Sequence, residues 1–512
     1  MKKVLLLCLC GFLFSCGNKP NPDNGSTDND VVVVSDDETQ VFVRKDVYNM
    51  AAEDPILVGY KKAITHMQGL PDSDPTSWTY QAAIHGTYAS GDNPVWNQCQ
   101  HGSFFFISWH RMYLYYFERI VRKYSDNPDW ALPYWNYSTA NTRSIPATFR
   151  DNTGHNPLYV AERYPSMNAG ARLSDQTVSL ACLEKIPFTG TPSSLESFGG
   201  QTVPAPQHFF SGRGALENVP HNQVHNAIGG WMQDPNTAAQ DPIFWVHHSN
   251  IDRLWNTWIS MGDGRYNTDN ETWLNTSFPF YDENGTLVEL TGAEILNSVA
   301  QLDYRYESDP DDFDPESLFA LQTDDERKAL KMKPAMTGDE QEGKTTLAQT
   351  KEAETKFTQR PLKVNLTMET EGPAAMKRSI DTSNHEDKGI YLTIEGVTFD
   401  EMPNKSIGIF INVPEGEEPD YNSPHFVDLL TFFGVGHHGH HHGEDKGSNF
   451  VFRIDDNLSK LSELGVDISS IEVSFHLTNG VEPLEGFTEE ATDMDADPKG
   501  SPRFRKITIQ SY

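Results

Sequence analysis

The chain is short of positive charge, of cysteine and of long apolar runs, and each shortage removes a class of function. Its 40 Lys and Arg stand against 73 Asp and Glu, a formal net charge of −33. A protein of that sign repels nucleic-acid phosphates and anionic head groups, so neither is expected as a partner. Five cysteines in 512 residues make no disulfide scaffold. Three of them, Cys8, Cys10 and Cys16, belong to the extreme N-terminus, which leaves Cys99 and Cys182 for the folded part. The long apolar run, "VLLLCLCGFLF", is too short to span a bilayer as a mature helix. What is present suits a globular protein: 37% hydrophobic and 11% aromatic residues, over a length that suggests two or three domains.

Residues 1–16 read as a lipoprotein signal, with a basic "MKK", the apolar run, and "LFSC", which resembles a bacterial lipobox. That predicts export, cleavage before Cys16 and lipid anchoring through its sulfur to a bacterial membrane. An ordinary secretory signal with a chance cysteine is the plainer alternative. Residues 17–40 are polar and rich in Asn, Asp, Gly and Pro, the composition of a disordered tether.

Three zones follow. Residues 41–308 contain all ten tryptophans and the helix-like patterns. Residues 309–360, acidic and then of mixed charge, read as an exposed, cleavable linker around "ERKALKMK". From 361 to 512 the pattern alternates, in "LKVNLTME", "GIYLTIEGV", "IGIFINV", "NFVFRI", "IEVSFHL" and "KITIQ". Alternation at period two between turn residues predicts a β-sandwich.

The chemistry-bearing residues are histidines of the first zone. In "QHGSFFFISWHRMYLYYFERIV", His110 shares a helical stripe with Leu114, Phe117 and Val121. His101 lies nine residues earlier and would face away on one continuous helix, so it must come from the loop before it. His221 and His225 in "HNQVH" are one helical turn apart, a spacing that suits chelation. His85 lies on a stripe with Trp78 and Ala82. In "DPIFWVHHSNIDRLW", His247 and His248 flank the apolar face formed by Phe244, Ile251 and Trp255. His248 is slightly nearer its middle. Any one of these signals also fits a hydrogen-bonded core histidine. Together, two groups of three imidazoles without a recurring carboxylate or thiolate suit copper or zinc. Two such groups in one helical core suggest a dinuclear copper site.

At these residues the sequence resembles the tyrosinase and catechol oxidase family of type-3 copper proteins. "HGSFFFISWHRMYLYYFE", with Arg111 and Glu118, matches the copper-A signature; "DPIFWVHHSNID", with Asp252, matches copper B. "LPYWNY" and the "YRY" of 304–306 look like plant-enzyme features. The resemblance is strong over about 41–308 and weaker over the C-terminal zone. It implies a mainly α catalytic domain, a four-helix bundle around two coppers, followed by a β-sandwich domain that shields the site in latent plant enzymes. It assigns His85, His101 and His110 to copper A and His221, His225 and His248 to copper B, with His247 packing beside them. The implied reaction is oxidation of phenols or catechols to o-quinones by O2.

The resemblance implies three further roles. Cys99, in "CQH", would form a thioether to His101; a free buried thiol and a disulfide to Cys182 are the alternatives. Glu217 and Asn222 would hold a water that deprotonates a monophenol. Pro235 stands about where many plant enzymes carry a bulky aromatic gate, which suggests a more open entrance. The histidine cluster 437–442 reads as an adventitious metal-binding loop rather than a copper-collecting one. Rival functions are an o-aminophenol oxidase and a non-enzymatic O2- or copper-binding lipoprotein.

Overall fold

In the computed structural model the described residues are 40–90, 93–190, 193–315, 344–382, 389–435, 447–485, 487 and 497–511. The lipobox Cys16, nearly all of the tether, the middle of the expected linker and the histidines of 437–442 lie outside them. Among the described residues no helix is long and apolar enough to cross a membrane.

Helices dominate the first part because apolar residues recur there at helical spacing, and several starts carry a side-chain cap. α1 (Pro55–Gln68) begins at Asp54, whose side chain accepts from the Ile56 N–H. α2 (Trp78–His85) begins at Ser77. α3 (Phe105–Tyr124) has no side-chain cap and is buried on nearly every face, so packing rather than capping holds it. The short α4 (Gln223–Ile228) continues an irregular turn at Glu217–Asn222. α5 (Pro242–Ser260) carries the histidine pair. Asp241 caps it, Pro242 supplies its first residue, and buried Arg163 grips both Asp241 oxygens at 2.6 and 2.8 Å.

A buried ionic cluster locks the chain's early residues to this core. The strand Phe42–Arg44 pairs in parallel with Tyr304–Tyr306 and so carries Arg44 inward. Arg44 donates to Glu118 at 2.7 Å, to Asp252 at 3.3 Å and to Tyr306 at 2.9 Å, with its guanidinium over the Tyr304 ring. Arg111 donates to the other Asp252 oxygen at 2.6 Å and lies over Trp255. Tyr304 and Tyr306 add hydroxyl bonds to Asp252 at 2.5 and 2.6 Å. Burial alone would raise the Asp252 carboxyl; Arg111 and Arg44 hold it below its ordinary value.

The C-terminal part consists of two antiparallel sheets. One runs, in spatial order, Phe426–Leu430, Ser406–Ile411, Glu472–Thr478 and Leu362–Asn365. The other runs Ser448–Arg453, Ile390–Val397, Lys506–Ser511, Thr345–Gln349 and Thr367–Met368. Inward residues of both, among them Ile394, Ile409, Val473 and Ile507, form a second apolar core. The linker expected over 309–360 therefore ends earlier: Thr345–Gln349 and Thr355–Lys356 are paired strands. "TTLAQ" sits among charged residues and alternates weakly, so only its pairing partner identifies it as a strand.

Asp252 neutralises two arginines that are otherwise buried without a full complement of partners. Replacing Asp252 with Ala should lower unfolding free energy by about 3–5 kcal/mol in denaturant titrations. A loss under about 1 kcal/mol would show that the cluster does not hold the core.

Candidate metal centre

Six segments of chain each bring one histidine to a single buried site. His85 ends α2 and His110 lies in α3. His101 comes from the loop before α3, pinned there by a bridge to Phe209. His221 lies in the irregular turn, His225 in α4 and His248 in α5. Each is 3% exposed or less.

The first three form one group, with ring centroids 5.3 to 5.6 Å apart. His85 Nδ1 donates to the Pro235 carbonyl at 2.8 Å and His110 Nδ1 to the Phe106 carbonyl at 2.7 Å. A carbonyl only accepts, so these nitrogens carry the protons and the Nε2 lone pairs point the other way. The Nε2 atoms of His85, His101 and His110 are buried without a hydrogen-bond partner. A buried polar atom left this way is costly unless something else binds it.

The second group is tighter. His225 Nδ1 donates to the Met232 carbonyl at 2.7 Å, and His221 Nδ1 to Asn222 Oδ1 at 2.8 Å. His248 Nε2 lies 3.3 Å from His221 Nε2 and 3.2 Å from His225 Nε2. Nitrogens bound to one tetrahedral metal at about 2 Å are roughly 3.3 Å apart, so these lone pairs suit a shared cation. The two groups meet where His110 stacks on His248, centroids 4.5 Å apart. The donor set fits two copper ions: neutral imidazoles, four of the six aimed by second hydrogen bonds. Ligand atoms within 4.8 Å of one another form two groups, His221, His225, His247 and His248 on one side and His85, Cys99 and His101 on the other; His110 belongs to neither.

His247 is closer to this site than its wheel position suggests. It belongs to the same cluster as His221, His225 and His248, stacks on His221, and approaches Tyr137 OH at 3.3 Å through Nδ1. Its Nε2 is buried without a partner.

The remaining predicted residues surround this site. Cys99 Sγ is 3.3 Å from His101 Nδ1 and equally far from Nδ1 of His208. Cys99 and Cys182 are both free and buried, so no disulfide joins them. The Glu217 carboxylate accepts the Gly102 N–H at 2.8 and 3.0 Å. Burial pushes its pKa up to about 8 against the lowering effects of Gly102 and Arg213. Asn222 sits between His221 and Thr431 Oγ1, to which its Nδ2 donates at 3.0 Å.

Sequence reasoning missed the residues that cover the site. Phe433, from the C-terminal part, stacks on His225 with centroids 3.9 Å apart and planes 18° from parallel. Its edges also approach His101 and His221. Phe433 packs with the helical core, whereas its neighbours Phe432 and Val435 pack with the sheets. Gly434, at φ +70°, follows so closely that a Cβ there would lie 2.9 Å from His101 Cβ. Only glycine meets both demands. The sole signal in the sequence was "TFFGVG", an apolar pair running into glycine after a strand.

Together the helical core, its appended sheets and the paired imidazole groups define a copper-dependent oxidoreductase that uses O2. Family models give the same answer: residues 75–261 match the common central domain of tyrosinase and 267–312 the polyphenol oxidase middle domain. Residues 344–483 match a domain of unknown function. A tyrosinase of Hahella sp. (strain CCB-MM4) is 31% identical over 456 residues, which cover 82% of this chain and 91% of that protein. The latent form of a polyphenol oxidase from Prunus armeniaca is 34% identical over 284 residues, 50% of this chain and 47% of its own. The match thus spans about half the length of that plant relative. Among solved structures, a latent aurone synthase has a TM-score of 0.59 at 20% identity, covering 93% of this chain and 90% of that one. Latent apple tyrosinase gives 0.57 at 23%, covering 92% and 97%. These two likenesses concern the fold. The chain belongs to the tyrosinase and polyphenol oxidase family.

Burial holds all six imidazoles below the ordinary histidine value of 6.5, His110 at about 3. Unfolding exposes them, and below pH 6.5 the unfolded chain binds protons that the folded chain refuses. The stability of metal-free protein is therefore retained above 6.5 and lost as pH falls through it. Its thermal midpoint should be lower at pH 5.5 than at 7.5 by at least several degrees, since each imidazole alone accounts for about 1.4 kcal/mol over that interval. An unchanged or higher midpoint at pH 5.5 would contradict the buried, neutral assignment.

Proposed function

We propose that the protein oxidises phenols and catechols to o-quinones with O2, as a catechol oxidase with monophenol hydroxylation alongside. The observation that carries this reading is the pair of imidazole groups, one with Nε2 atoms buried without a partner and the other with Nε2 atoms converging to 3.2 and 3.3 Å. Copper, when bound, supplies the binding and reduction of O2. His85, His101 and His110 would hold one ion; His221, His225 and His248 the other. On this reading α2, α3, α4 and α5 would make up the expected four-helix bundle around the site, and the C-terminal sheets the expected β-sandwich over it.

The protein's own groups do the rest. Phe433 lies ring on ring over His225, a position that suits a phenol ring. Glu217 and Asn222 are the candidates for holding a water that accepts the phenolic proton. A carboxyl displaced to about 8 is well matched to proton transfer near neutrality. Because Phe433 fills the position over His225, the full chain is read as latent, opened by cleavage in the Lys/Arg-rich linker. Cys99, held against His101, is read as the thioether donor.

Oxygen uptake by copper-loaded protein tests the activity, with catechol, L-DOPA, L-tyrosine and o-aminophenol as substrates. The full chain should turn over slowly, and the Phe433→Ala variant and trypsin-treated protein at least about tenfold faster, since removing a competing occupant costs the substrate nothing further. Equal rates for the full chain and the Phe433→Ala variant would end the latency reading. Turnover of o-aminophenol alone would replace the phenol reading, and no turnover in any form would favour a copper- or O2-binding role.

Metal analysis and peptide masses test the ligands. His248→Ala should reduce copper from two ions per chain to one, whereas His247→Ala should keep both. Copper-loaded protein should yield a Cys99–His101 peptide lighter by two hydrogens. Copper loss on His247→Ala, or an unmodified peptide, would refute the respective assignment.

A further inference from the structure

The segment that brings Phe433 to the site makes a second contact of a different kind. The strand Phe426–Leu430 ends one residue before Thr431, which is fully buried against the helical core. Its hydroxyl oxygen accepts from Asn222 Nδ2 at 3.0 Å and from Arg213 NH1 at 2.6 Å. Its carbonyl accepts from the same Arg213 nitrogen at 3.0 Å. Asn218, from the turn that carries Glu217, donates to the Leu429 carbonyl at 3.2 Å. The hydroxyl is thus placed by two buried side chains of the catalytic core, not by its own domain.

Both of those side chains belong to the stretch of chain that carries the candidate base, Arg213 just before the Glu217–Asn222 turn and Asn222 at its end. Asn222 is the proposed partner of Glu217 in holding water. Arg213 lies near enough for its charge to act on the Glu217 carboxyl. A hydroxyl oxygen held by an amide N–H at 3.0 Å is the nearest side-chain equivalent of a bound water. We propose that Thr431 occupies the Asn222 amide donor that holds water for Glu217 in the open enzyme. The C-terminal part then closes the site twice: Phe433 takes the place of the aromatic ring, and Thr431 takes the amide donor on which the proton-accepting water depends. Thr431 is a specificity-determining residue, because its withdrawal governs monophenols more than catechols. A monophenol depends on an external acceptor for its one proton. A catechol is less dependent, since its second hydroxyl stabilises the anion it forms. This inference rests on the reading of Glu217 and Asn222 given above.

The test compares copper-loaded variants by the ratio of L-tyrosine hydroxylation to L-DOPA oxidation, with copper content measured on each. Phe433→Ala, which clears the ring position and keeps Thr431, should oxidise L-DOPA with a ratio at least about tenfold below that of the double variant Phe433→Ala/Thr431→Ala, at the low end of what a positioned proton acceptor contributes. Phe433→Ala/Thr431→Ser restores the hydroxyl and should behave like Phe433→Ala. If the alanine double variant does not retain copper, Thr431→Cys keeps the volume, weakens the acceptor and should raise the ratio in the same direction. Equal ratios in the single and double variants at equal copper would overturn the role of Thr431. Adding Glu217→Gln to the double variant should lower its ratio; if it does not, the Glu217–Asn222 reading itself fails, which is a separate result.

Discussion

Keeping six imidazoles neutral, dry and aimed is the constraint on which this structure depends. Charged, they would repel one another across centroid distances near 5 Å in a medium that screens little. Four of them are aimed by an Nδ1 hydrogen bond, three to a backbone carbonyl and one to an amide oxygen. A carbonyl cannot reverse its role, so it sets the tautomer as well as the direction. The helices matter here as suppliers of rigid acceptors: Phe106 lies one turn before His110, and Pro235 and Met232 bring the loop between α4 and α5 against the site.

The ionic cluster around Asp252 serves the same end from outside. Asp252 follows His248 by one turn of α5, and Arg111 directly follows His110 on α3. One bond therefore fixes the relative position of two helices whose histidines stack on each other. The N-terminal strand and the Tyr304–Tyr306 strand add their side chains to the same carboxylate, so distant parts of the chain share in positioning the two imidazole groups.

The histidine motifs were legible in the sequence because they are local. His110 on its stripe, His221 and His225 a turn apart, and His101 in a preceding loop follow from helical periodicity alone. His247 was less legible: a wheel gives the direction of a residue on one helix and says nothing of the Tyr137 and His221 that meet it. Phe433 and Thr431 were not legible at all, since their partners lie some 200 residues earlier and no periodic signal marks such a pairing. The strand Thr345–Gln349 was hidden for a related reason. Its alternation is weak, and its place is fixed by a partner, Lys506–Ser511, at the far end of the chain.

The seam between the helical core and the sheets has a mechanical consequence. Besides Thr431 it is held by Ser193 on the Val451 carbonyl, Asn226 on Ser406, Gln233 on the Asn404 carbonyl, Thr177 on the Gly480 carbonyl and the ion pair of Arg453 with Glu196. These contacts are spread across several strands and loops, and none depends on an intact linker. A nicked chain is thus a two-piece complex whose halves stay together until they dissociate. Activation by cleavage would then require the sheets to leave this seam, so the seam contacts and not the cut itself would set its rate.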